Sequence, residues 1–127
     1  MIYYCLTIIL LMPIILALGS IPFRIQQFSM ADLERPREQA AQLTDAGARI
    51  VHAQNNAWEA LIIFTVALFI ASQNAMLGDA IVPACIVFVV ARFCHASFYL
   101  MGKGVLRFLS FLTGLGAALW IVGVSIF

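Results

Sequence analysis

Charge is what this sequence has least of. Only 10% of its 127 residues are Asp, Glu, Lys or Arg, against 64% that are hydrophobic. The seven basic and six acidic residues nearly cancel, to a formal +1, so neither a nucleic-acid partner nor a polybasic lipid anchor is expected. Cysteine is scarce and badly spaced for chemistry: Cys5, Cys85 and Cys94 stand in apolar runs without a CxxC pair. That pattern supports neither a disulfide framework nor a metal site; the three read as small buried hydrophobes. The opening stretch MIYYC lacks the basic start of a secretory signal, so the apolar N-terminal segment is read as a span and not a cleaved leader. No internal repeat or low-complexity tract is present.

What is there is long apolar sequence, with a mean hydropathy of +1.03, the composition of an integral membrane protein. Met1 to Phe23 contains no Asp, Glu, Lys, Arg or His and would make about 34 Å of helix, enough to cross a bilayer. Further uncharged runs cover Ala60–Gly78, Ala80–Ala91 and Phe108–Phe127. The third is too short alone and spans only if its helix continues to Gly102 and buries Arg92 and His95. The expectation is an all-α, multi-pass, four-helix bundle in one transmembrane domain over residues 1–127. Its helices are placed near 1–24, 46–74, 79–102 and 105–127, with a cytoplasmic loop near 25–45. That loop region is the polar part of the chain: eight of the thirteen charged residues lie between Arg24 and Arg49. Within it, Pro36 in ERPRE is expected to break a helix continuing from the first span. Arg24, Arg35 and Arg37, then Lys103 and Arg107, fall in the first and third connections, which by the positive-inside rule turns both termini away from the cytoplasm.

Two polar stripes interrupt the apolar pattern. At 100° per residue, Arg49, His52, Asn56 and Glu59 share an arc of about 80°, and so do Arg92, His95, Tyr99 and Lys103. Counted back from the tight turn near Gly78, Glu59 and His95 lie at nearly the same depth, roughly 21 Å from the outer end. One reading is structural, with Glu59 neutralising Arg92 inside the bundle. The other is functional, because that pair would not also need Arg49, His52, Asn55, Asn56, His95, Tyr99 and Arg107. Several cations, amide donors and a phenol around one carboxylate suit an anionic, peptide-like ligand. In the fourth helix, Ser110, Gly114 and Ala118 recur every four residues and point to close helix packing.

The stripes carry a resemblance. Arg49, Asn56 and Glu59 keep the frame of the second-helix motif of the membrane-associated proteins in eicosanoid and glutathione metabolism (MAPEG), and RFCHASFYL is similar to that family's Arg-x-x-His-x-x-x-Tyr pattern at Arg92, His95 and Tyr99. Arg107 stands near the start of the fourth helix, where the family places an Arg important for catalysis. RPREQAAQLTDAGAR looks like the first loop of bacterial members. The resemblance implies a homotrimer of a bacterial inner membrane, with glutathione as cosubstrate near the cytoplasmic side. It implies a transferase or peroxidase acting on a lipophilic electrophile or hydroperoxide drawn from membrane lipid. Arg107 would be the catalytic residue, and Arg49, His52, Asn56, Glu59, Arg92, His95 and Tyr99 would bind glutathione. Arg24 would match a basic residue at the end of helix one, without a surrounding motif to fix it. His52 stands where many members carry a second Arg, and Gln54 where bacterial members often carry His. These departures favour the alternative of a non-catalytic lipid-binding or scaffold protein of the same fold. A small four-helix exporter would require a titratable carboxylate in its pathway, commonly on helix one, and helix one has none.

Overall fold

A computed structural model describes residues 1–127, 83% of them helical and none in strands. The helices are α1 (Ile2–Gly19), α2 (Ile21–Phe28), α3 (Pro36–Ala41), α4 (Asp45–Gln73), α5 (Val82–Leu100) and α6 (Gly104–Ile126), with a single 3₁₀ turn, Asp79–Ile81, leading into α5. Four stretches are long and apolar enough to cross a membrane: Ile2–Phe28, Asp45–Gln73, Asp79–Leu100 and Gly104–Ile126. Large apolar side chains such as Ile15, Ile62, Phe69, Val90 and Leu119 point outward along all four. Such an outer surface suits hydrocarbon and would be unfavourable in water. The protein is therefore an all-α integral membrane four-helix bundle.

The interior is built where the spans face one another. Phe64 of α4 and Phe88 of α5 stack with ring centroids 4.5 Å apart, and Cys5, Ile9, Ile81, Cys85 and Ile121 close around them. Small residues recur on α4 at Ala53, Ala57, Ala60, Ala67 and Ala71, all buried, and allow its neighbours to approach closely. The stripe on α6 is buried as well, at Ser110, Gly114 and Ala118. α5 and α6 make the most extensive helix contact. Their junction turns on Gly102 at φ 70°, a left-handed conformation that costs a residue with a Cβ.

The polar connection is more ordered than a loop over 25–45. α2 carries the first span on to Phe28 and ends on Ser29 at φ 67°. Pro36 does not break a helix but begins one: it occupies the first position of α3, where its missing N–H is no loss and its fixed φ is already helical. Two glutamines hold this segment down. Gln27 donates from Nε2 to the Gln42 carbonyl at 2.9 Å and accepts from the Thr44 backbone N–H at 3.1 Å, just ahead of α4. Gln39 donates to the Met30 carbonyl and accepts from the Asp32 N–H. Asp32 Oδ1 in turn accepts from the N–H groups of Glu34 and Arg35. Those bonds, Arg35 foremost, hold the Asp32 carboxyl below its usual range.

Candidate functional site

Three helices converge on one polar cleft of about 430 Å³, a volume within the usual range for small-molecule sites. α4 contributes His52, Asn55, Asn56 and Glu59, α5 contributes His95 and Tyr99, and α6 contributes Arg107, Phe108 and Phe111. The i, i+3, i+4 and i+7 spacing on α4 and the i, i+4 spacing of His95 and Tyr99 on α5 and of Arg107 and Phe111 on α6 put those residues on one face of each helix, with Phe108 beside Arg107 at its edge. Phe111 follows Arg107 by one turn and was detectable only by that offset, since nothing in its apolar surroundings marks it out.

Inside the cleft the aromatic and cationic groups are mutually ordered. The Arg107 guanidinium lies over the Tyr99 ring, 4.5 Å from its centroid. His52 stacks on Tyr99 at 6.2 Å, and His95 meets it edge-on at 5.7 Å. His95 is only 6% exposed, and its Nδ1 lies 3.1 Å from the Arg107 carbonyl oxygen. A carbonyl only accepts, so Nδ1 carries the hydrogen and donates. Nε2 is left buried with no partner.

Three residues of the stripes stand outside the cleft lining: Lys103, exposed just ahead of α6, Arg49 and Arg92. Arg49 donates from Nε to the Leu100 carbonyl at 3.0 Å, tying the start of α4 to the end of α5, where the last carbonyls of a helix lack intrahelical partners. Arg92 is 3% exposed and lies behind the cleft, donating from Nη1 to Asn56 Oδ1 at 3.4 Å and from Nη2 to the Phe111 carbonyl at 2.9 Å. The Glu59–Arg92 ion pair expected on structural grounds is not made. Asn56 stands between the two, with its Nδ2 donating to Glu59 Oε2 at 3.3 Å. The one ion pair of the structure is Arg35–Glu38, exposed and at 3.8 Å. Burial of an arginine without a carboxylate is tolerable here because its charge is shared among two oxygen acceptors and the faces of Phe88 and Phe111, at 5.3 and 5.4 Å.

A second cavity, about 560 Å³, lies on the other side of His52 and Asn55, which line both. It is formed with Arg24, Arg37, Gln54 and Trp58. Arg24 is thus placed apart from the cleft, and its Nε is buried without a partner.

The cleft can hold an anion-bearing ligand. It offers guanidinium, imidazole, amide and phenol groups and a single carboxylate, which is free to accept from a ligand ammonium. Compared with known proteins, the chain matches the family model described as MAPEG family over residues 1–127. No curated protein and no solved structure matches it.

Proposed function

The chain belongs to the MAPEG family, and on that premise we propose that it binds glutathione in the cleft between α4, α5 and α6 and applies it to a lipophilic electrophile or hydroperoxide arriving from the bilayer. The observation that carries this reading is the composition of one cleft, in which Arg107, His52, Asn55, Asn56, His95 and Tyr99 surround the lone carboxylate of Glu59. An anionic tripeptide with one ammonium group is complementary to that set. Bound glutathione supplies a thiol nucleophile. The residues supply its environment: Arg107 places a cation where sulfur charge is to be stabilised. His52, Asn56, Glu59, His95 and Tyr99 grip the peptide, while Arg49 and Arg92 support the frame without touching it. The proposal includes a homotrimer, and an orientation in which the ends carrying Arg24, Arg35, Arg37, Lys103 and Arg107 face the cytoplasm.

Thermal melting of the detergent-purified protein with and without glutathione tests the binding half. Stabilisation should grow with ligand concentration as mass action requires, and an unmoved transition at millimolar glutathione would sink the proposal. Arg107→Ala tests the chemical half. Turnover should fall by roughly 10²–10³, the cost of losing one charge-stabilising donor, with the oligomer unchanged on gel filtration. A second reading, a non-catalytic lipid-binding or scaffold protein, draws on His52, which occupies the cleft position where an arginine would strengthen anion binding. It predicts no response to glutathione in either experiment.

A further inference from the structure

The guanidinium of Arg92 sits in a closed space, and one wall of that space is a missing side chain. A Cβ built on Gly114 would stand 2.7 Å from Arg92 Nε and 2.9 Å from its Cζ, far inside contact distance. At Gly116, two residues further along the same helix, nothing lies within 4 Å of the equivalent position. Gly114 is therefore more than a small residue in a packing stripe, since the arginine occupies the volume it vacates. From that seat Arg92 reaches Asn56 Oδ1 at 3.4 Å. A guanidinium has donors only, so Asn56 must present its oxygen to Arg92 and turn its NH₂ the other way. The NH₂ then meets Glu59 Oε2 at 3.3 Å, and Asn56 and Glu59 both line the cleft. The polarity that the amide shows to the cleft is thus decided by a buried arginine behind it.

We propose that Gly114 is a positioning residue of the cleft. By lacking a side chain it seats Arg92, and Arg92 fixes the Asn56 amide with its donor end toward Glu59 and the ligand. The identity of that ligand rests on the proposed function; the seat and the orientation of the amide do not.

The test compares Gly114→Ala with Gly116→Ala in the full-length, detergent-purified protein. Two double variants accompany them, Gly114→Ala with Arg92→Lys and Gly114→Ala with Arg92→Met. Both lack Nη2, the atom that a Cβ at residue 114 would meet first, and end in a flexible chain that can give way, but only Lys keeps a cation for Asn56. Melting temperature reports packing, and glutathione affinity reports positioning. Gly116→Ala should match the native protein in both. Gly114→Ala should lose roughly tenfold or more in affinity, the scale of one misdirected polar group. The Lys double variant should regain affinity, and the Met double variant should regain melting temperature alone. Native-like affinity in Gly114→Ala or in the Met double variant overturns the proposal. If Gly114→Ala alone does not fold, the two double variants carry the comparison: affinity in the Lys but not in the Met double variant is expected, and equal affinity in both overturns the proposal.

A ligand-free readout separates this inference from the functional one. The chain has three asparagines, so ¹⁵N-asparagine labelling gives three side-chain amide signals. The Asn56 signal should move in Gly114→Ala and in the Met double variant, and stay in place in Gly116→Ala. If the native protein ignores glutathione while this signal behaves so, the functional reading fails and the positioning role stands. An Asn56 signal indifferent to Gly114 and Arg92 overturns the positioning role whatever glutathione does.

Discussion

Arg107 rests on the ring of Tyr99, its guanidinium carbon 4.5 Å from the centroid. The contact uses the aromatic face, and the Tyr99 hydroxyl makes no hydrogen bond within the chain. Tyr99→Phe should therefore leave Arg107 in place and the melting temperature close to native. Tyr99→Leu removes the face and should cost about 1–2 kcal/mol. If the hydroxyl contacts glutathione, Tyr99→Phe weakens binding without loss of stability. Equal stability losses in Phe and Leu would show that the ring is not what holds Arg107.

Glu59 accepts one hydrogen bond, from Asn56, and joins no ion pair. Glu59→Gln keeps an oxygen for that bond and removes the charge. The fold should survive, with the thermal transition shifted by no more than a surface substitution usually causes, about 0.5 kcal/mol, while glutathione affinity drops. Collapse of the fold would mean that the carboxylate neutralises Arg92 after all.

Much of this could be read before the structure, and the reasons are physical. The third apolar run is too short to cross a bilayer unless Arg92 and His95 go inside with it, and both are buried. Helical spacing with a tight turn at Gly78 places Glu59 and His95 at one level, and they line one cleft. Other relationships leave no trace in a residue pattern. Arg49 spends its Nε on a backbone carbonyl 51 residues away, and the last carbonyls of any helix offer such an acceptor. Pro36 can stop one helix or start another, and only the chain direction around it decides. Gly114 in a stripe with Ser110 and Ala118 looks like any close helix contact until the arginine opposite is located.

Gly102 links α5 to α6 at φ 70°. Gly102→Ala should cost about 1–2 kcal/mol, the penalty for a Cβ in the left-handed region. Gly104→Ala, in the first turn of α6 and with open space around it, should be neutral or slightly stabilising. Thermal melting of the pair checks this, and equal effects would remove backbone conformation as the cause.

The Asp32 carboxyl is held below its ordinary range by the N–H groups of Arg35 and Glu34. A depressed carboxylate contributes order that is complete above its unfolded pKa, about 3.9, and is lost as pH falls through its lower folded value. Hydrogen exchange of the Glu34 and Arg35 amides, corrected for intrinsic rates, should show protection that is flat from neutrality to about pH 4 and declines below it. Asp32→Asn, which keeps a neutral acceptor, should lose that decline. Protection in the native protein that rises toward acid would contradict the bonding pattern.

The tethers of Gln27 and Gln39 join uncharged partners throughout. Ions in solution screen attraction between charges, and have little hold on bonds between amides. The segment linking the first two spans, although the most highly charged part of the chain, is thus anchored by contacts indifferent to ionic strength. Apart from the Asp32 carboxylate, bonded to the Glu34 and Arg35 N–H groups, and the exposed Arg35–Glu38 pair, its charges remain free for the aqueous phase, while the two glutamine tethers hold in dilute buffer and in strong salt alike.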